Sequence, residues 1–229
     1  MDYVYICRAG DNEELRYSIR SVVAHTSCKN VWLIGHKPDW YRGNFVSVPN
    51  TSTKFNNIIN CTKAITDIGA ISDDFVLMND DFFFLNDVGV PPVYHGGLLK
   101  DKIDRYIDAG SRHYVTLLSK TYGSLQRQGI KDPLDYDIHL PMPMNKDKLK
   151  RSIKKAYFPR SAYGNINNIG GTLTKDVKVY GSKNPLSKLS YDLLAEDKYF
   201  ISTEDESFED VYNKILKNKF SNPSKYEIF

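Results

Sequence analysis

Apolar and polar positions alternate with two different periods along the first ninety residues. Residues 2–7 (DYVYIC), 30–35 (NVWLIG), 45–48 (FVSV) and 74–78 (DFVLM) are short β-branched and aromatic runs, the pattern of buried strands. Between them, Leu15, Ile19, Val22 and Val23 recur at helical spacing, and so do Phe55, Ile58, Ile59, Thr62 and Ile65. Asn12 stands before Glu13 and Glu14, which predicts a helix N-cap followed by charges suited to the positive end of the helix. Strands alternating with helices through short connections predict an α/β sheet that is parallel at least in part.

The pattern changes after Pro91-Pro92, which stops regular structure. Residues 98–108 and 111–125 predict helices, and a loop around Pro133 leads into Asp137-Ile138-His139-Leu140-Pro141-Met142-Pro143. Asn145 predicts a cap for a helix with Leu149, Ile153 and Tyr157 on one stripe. The other faces of that helix carry Lys146, Lys148, Lys150, Arg151, Lys154 and Lys155. Residues 161–171 (SAYGNINNIGG) read as loop from their Gly and Asn, and Phe208, Val211, Tyr212, Ile215 and Leu216 predict one more helix. With no internal repeat, residues 1–229 read as one domain: an α/β part over 1–90 and a largely helical part over 91–229.

Composition narrows this only a little. Hydrophobic residues at 41% and aromatic residues at 13% describe a globular chain, and a net charge of +3 neither demands nor excludes an anionic partner. Cys7, Cys28 and Cys61 are far apart and odd in number, which favours reduced thiols and argues against a zinc site. No apolar run approaches membrane-spanning length, and MDYVYICRAG does not resemble a signal peptide. The expectation is a soluble, cytoplasmic protein.

The chemistry concentrates at DFVLMNDDFFFL, residues 74–85. Asn79-Asp80-Asp81 puts two adjacent carboxylates between apolar runs, where they repel each other and are costly to desolvate. A divalent cation with oxygen ligands offsets that cost, and the carboxyl end of a parallel strand is where α/β sheets bind ligands. The alternative is an ordinary surface turn. Arg8, at the end of the first strand, suits bidentate phosphate binding. Arg16 and Arg20 either share that role or pair with Glu13 and Glu14 on a solvated helix. His139, pinned between prolines, suits metal ligation or general base catalysis, although a lone His is more often structural. The basic run from Lys146 to Arg160 is either a solvated face or a track for an anionic acceptor, with Arg160 its best phosphate clamp. Neither GxGxxG nor GxxxxGK[ST] occurs, so neither a dinucleotide site nor a P-loop is signalled.

DNEELRYSIRS at 11–21, NVWLIG, PDW at 38–40 and FVLMNDDFFF together resemble the second signature region of the Stealth family. That family includes bacterial capsule sugar-phosphate transferases and the catalytic part of the animal GlcNAc-1-phosphotransferase. His139 in IHLPMP is similar to the family's third region. The first region is reduced here to DYVYICRAGD, and the fourth is not recognisable. The resemblance implies a GT-A-like α/β fold with a mixed, mostly parallel sheet flanked by helices. It also implies a nucleotide-sugar donor, most simply a UDP-sugar, and Mg²⁺ or Mn²⁺. On this basis Asp80 and Asp81 hold the metal and diphosphate, and His139 sits at the reacting phosphate or the metal. Arg8, Arg16, Asn79 and Arg160 lie on the donor or phosphate side.

The leading expectation is therefore a metal-dependent transferase that moves a glycosyl or sugar-1-phosphate group to an acceptor hydroxyl. Residues 1–90 then bind the donor, and 91–229 the acceptor, a glycan or DNA held by the Lys146–Arg160 helix. The alternatives are a glycosyltransferase of modified bases in DNA, a non-catalytic nucleic-acid or glycan-binding module, and a metal-dependent phosphohydrolase using the same carboxylates.

Overall fold

The computed structural model describes residues 1–10, 12–51, 53–154, 157–181, 183 and 198–228. Its centre is a five-stranded mixed sheet built from β1 (Asp2–Cys7), β2 (Val31–Gly35), β3 (Asn44–Ser47), β4 (Asp74–Asn79) and β7 (Met142–Asn145). The order is β3-β2-β1-β4-β7, with β1 to β4 mutually parallel and β7 antiparallel at the edge. An edge position suits β7, because Pro143 cannot donate to a further strand.

Period-two alternation along β1 divides the core. Tyr3, Tyr5 and Cys7 face one side, where α1 (Glu13–His25) packs Leu15, Ile19 and Val22 against them. Val4 faces the other, with Cys61 and Ile65 of α2 (Lys54–Asp67). Leu149 of α5 (Lys146–Ser152) and Tyr163 of α6 (Pro159–Ile166) complete that second layer. Asn12 caps α1 by accepting from the Leu15 amide, as its position predicts. The chain winds outward from β1 through β2 to β3, then returns through α2 to β4 on the other side of β1. The strand order therefore reverses between β1 and β4, which opens a crevice at their carboxyl ends.

Gly35 ends β2 at φ +114°, and a Cβ there would lie 2.6 Å from the carbonyl oxygen of Cys7. Gly35→Ala is expected to destabilise the protein by about 2–4 kcal/mol, through positive-φ strain plus a backbone collision that cannot relax cheaply. A urea titration of the variant measures this, and unchanged stability would refute it.

A second sheet sits beyond the crevice: β5 (Phe82–Phe84) pairs antiparallel with β10 (Phe200–Thr203), and β10 pairs parallel with β9 (Lys178–Val179). A small pair, β6 (Tyr94–His95) with β8 (Thr172–Leu173), lies apart. Helices α3 (Leu99–Asp108) and α4 (Arg112–Arg127) pack on each other. The chain closes with α7 (Asp205–Val211), a π-helical turn at Tyr212–Leu216 and α8 (Lys217–Lys219). No described helix is long and apolar enough to cross a membrane.

Several expectations need correction. The part after residue 90, read as largely helical, also supplies β6 to β10. The helix capped by Asn145 ends at Ser152, so Leu149 and Ile153 are buried while Tyr157 is exposed. Pro159 disfavours helical geometry at Phe158 and instead starts α6 as its first residue. Residues 161–166 are thus helix where Gly and Asn suggested loop. Gly164 is required because a Cβ would lie 2.3 Å from the Tyr136 ring, and Asn165 spends its amide on Leu134.

Candidate functional site

A cleft of about 990 Å³ opens over the carboxyl ends of β1 and β4. Arg8, Asn79, Asp80, Asp81, His139 and Arg160 all line it, although their sequence positions span more than 150 residues. It is large enough for a nucleotide-sized ligand.

Asp81 is the most constrained group. It is buried, and its Oδ2 accepts from Lys178 Nζ at 2.9 Å and Ser202 Oγ at 3.1 Å. Its Oδ1 is buried without a hydrogen-bond partner. Burial pushes the Asp81 carboxyl up, but Lys178 and His139 outweigh that and hold it below the usual carboxylate range. Asp80 accepts from Asn12 Nδ2 at 2.5 Å and lies 3.6 Å from Arg8 Nε. Burial and the neighbouring Asp81 push its carboxyl up. Asn12 thus caps α1 through one side-chain atom and holds Asp80 through the other.

His139 gives Nδ1 to Asp176 Oδ2 at 2.8 Å, and its backbone N–H donates to Asp176 Oδ1 at 3.1 Å. Burial alone would raise the Asp176 carboxyl, yet His139 facing it holds it well below the usual range. Nδ1 is thereby committed, which leaves Nε2 as the ring nitrogen for the cleft. The His139 ring meets Phe82 edge-on at 6.3 Å, and the Arg160 guanidinium lies 5.1 Å from the same ring. Ser18 fixes Phe82 by donating to its carbonyl.

The predicted arginines separate. Arg8 pairs with Asp205 at 2.8 Å and lies near Glu14 and Asp80, half open to solvent. Arg160 is buried, and its donors go to the carbonyls of Leu140 and Leu77 and, at 3.4 Å, to Asn79 Oδ1. Burial pulls its guanidinium down to about 10. Arg160 therefore ties β4 to the His139 segment instead of standing free as a phosphate clamp. Arg16 does not line the cleft: it pairs with Glu13 at 3.1 Å and lies 4.8 Å over the Trp40 ring. Its helical position puts it on the other side of α1 from Glu14. Of the basic run, Lys146 bonds the Ile68 carbonyl beside Asp73, and Lys150 pairs with Asp67. Lys148, Arg151 and Lys154 are exposed, while Lys155 lies outside the described residues.

Sequence reasoning missed Glu14, Asp176, Lys178, Ser202, Thr203 and Asp205. Glu14 stood in view but read only as a helix-start charge. It is buried in the cleft wall, accepts from Thr203 Oγ1 at 2.9 Å, and burial with the nearby carboxylates pushes it up to about 7. A carboxyl whose folded pKa exceeds its unfolded value binds more protons when folded, so stability falls as pH rises from about 4.5 to 7. Glu14→Gln is expected to remove that slope and stabilise the protein above pH 7 by up to about 3 kcal/mol. Denaturant titrations of both proteins across pH 4–8 test this, and parallel curves would refute it.

Asp80 and Asp81 fit a divalent cation in the manner of Mg²⁺, which takes one or two protein carboxylates and completes its shell with water and substrate phosphate. The unpartnered Oδ1 of Asp81 is the observation that favours this. Among the described residues no three acidic, His or Cys side chains form a complete protein cage. Lys178 already engages the other oxygen of Asp81, so the site balances its negative charge partly with its own cations. Comparison with known proteins finds no matching family model and no matching curated protein.

Proposed function

We propose that this chain is a nucleotide-sugar transferase of the Stealth type, with a GT-A-like arrangement of its mixed sheet. The observation that carries the reading is the Asp80-Asp81 pair at the carboxyl end of β4, with Asp81 Oδ1 buried and unpartnered beside the crevice where the strand order reverses.

Asp80 and Asp81 would hold Mg²⁺ or Mn²⁺, which would offset negative charge on the departing nucleotide. Arg8 leaves Asp205 to meet a phosphate oxygen, and Lys178, held by Asp81, adds a second positive charge on the same side. His139 takes the proton of the acceptor hydroxyl at Nε2, while Asp176 steadies the imidazolium that results. Attack at the anomeric carbon forms a glycosidic bond and releases a nucleoside diphosphate. Attack at the β-phosphorus forms a phosphodiester and releases a nucleoside monophosphate.

A panel of UDP-, GDP- and CDP-sugars, incubated with and without Mn²⁺, tests the reading by identifying the released nucleotide. Diphosphate release means glycosyl transfer, and monophosphate release means sugar-phosphate transfer. Absence of release with every donor would overturn the assignment. The partners found for Lys146 and Lys150 speak against a continuous nucleic-acid track along α5, and so favour a glycan acceptor over DNA.

A further inference from the structure

Part of the lining of the cleft is aromatic, and the function proposed above does not use it. Phe55, Tyr114, Tyr157 and Phe158 all line the cleft. Three of them are spent on one another: Phe158 meets Phe55 edge-on at 5.6 Å and Tyr114 at 5.5 Å. Tyr157 is different. It is 41% exposed, and Lys120 Nζ lies 5.4 Å from its ring centroid. A large exposed ring lining a cleft is a stacking surface, and among the described residues no other aromatic ring stacks on it.

The segments that supply Tyr157 and Lys120 are basic. Residues 109–131, which include α4, contain no Asp or Glu, and neither do residues 148–175, which supply Tyr157 and Phe158. Lys120, Arg151 and Lys154 are exposed on these segments, and exposed Lys54 at the start of α2 also lines the cleft. These exposed cations beside the cleft attract a partner with negative charge on its outer side.

Position bears on the substrate, because Tyr157 and Phe158 line the same cleft as His139 and Arg160. We propose that Tyr157 and Lys120 form an acceptor subsite for an anionic sugar unit, with the ring of the sugar on Tyr157 and its phosphate or carboxylate against Lys120. The proposal rests on the transferase reading. A single-stranded nucleic acid is the less suitable occupant, because such strands stack successive bases on several open rings, and of Phe55, Tyr114, Tyr157 and Phe158 only Tyr157 is exposed.

The test is fluorescence anisotropy with end-labelled hyaluronan tetrasaccharide, maltotetraose phosphate, neutral maltotetraose and a dT10 oligonucleotide. Each probe is titrated with the full chain and with Tyr157→Ala and Lys120→Ala at two salt concentrations. Both side chains are exposed, so both variants keep the fold, as circular dichroism checks. The expected result is that one anionic saccharide binds at least about tenfold tighter than the neutral one. Tyr157→Ala then weakens that binding about tenfold, and Lys120→Ala weakens it and reduces its salt dependence. The carboxylate and phosphate probes distinguish the two sources of charge. Equal binding by wild type and Tyr157→Ala, or tighter binding of dT10 than of either anionic saccharide, overturns the subsite. Nucleotide release by the wild type is measured in parallel. Release without Tyr157-dependent saccharide binding removes the subsite and leaves the transferase. Tyr157-dependent binding with no release from any donor removes the acceptor role along with the transferase reading.

Discussion

Asp81→Asn is expected to lower turnover by roughly a hundred- to a thousandfold while the protein still folds, the scale of losing one preorganised electrostatic group. The amide keeps the volume of the carboxylate but loses its charge, and with it the anchor for Lys178 and the negative oxygen left free for a cation. Asp80→Asn is expected to be equally inactive. The two variants differ in stability. Asp81 is held below the usual carboxylate range by Lys178 and His139, so its ionised form stabilises the fold at neutral pH. That contribution is lost as pH falls through its depressed folded value, and Asp81→Asn forgoes it at every pH. Asp80 is pushed up by burial and by Asp81, so its ionised form opposes folding at neutral pH. Thermal melts at pH 7 should therefore place Asp81→Asn below the wild type and Asp80→Asn at or above it. Donor assays on the same samples complete the test. Wild-type turnover in Asp81→Asn would remove the carboxylate pair from the mechanism. An inactive Asp81→Asn that is also unfolded would be set aside in favour of Asp80→Asn, which is expected to keep the fold.

What the sequence disclosed follows from how locally each feature is encoded. The strands β1, β2 and β4 and the helices α1 and α2 announce themselves through contiguous patterns, and Asn79-Asp80-Asp81 is visible because its members are adjacent. The partners that give the pair its character are remote. Asp176, Lys178, Ser202 and Thr203 come from strands of two to four residues and their flanks, too short for periodicity to register. Arg16 illustrates a different limit. Hydrophobic spacing identifies the buried stripe of α1 but does not say which polar neighbour faces a cleft, and it is Glu14, not Arg16, that does so. The helix α6 was hidden because Gly and Asn are weak helix formers in isolation. Here Gly164 is fixed by a ring pressed against it, and tertiary packing overrides propensity.

Asp176→Asn is expected to cost nearly as much activity as His139→Ala, about a hundredfold or more in each case. The reason lies in how the two oxygens of Asp176 are used. Oδ1 accepts from the backbone amides of His139, at 3.1 Å, and Lys178, at 3.3 Å, while Oδ2 faces His139 Nδ1. An asparagine that keeps its oxygen toward the two amides presents its NH₂ to Nδ1. Nδ1 then becomes an acceptor, the ring proton moves to Nε2, and the nitrogen facing the cleft can no longer take a proton from the acceptor hydroxyl. A merely structural Asp176 would tolerate this isosteric change, and activity would fall only as far as stability does. Metal titrations divide the two roles open to His139. If it is the base, His139→Ala lowers the rate at saturating Mn²⁺ and leaves the half-saturating Mn²⁺ concentration unchanged. If it is a ligand, that concentration rises and saturating metal restores much of the rate. In Asp176→Asn the rate should fall with no change in Mn²⁺ dependence, and a rate within about threefold of wild type would show that the imidazole needs no such tautomer.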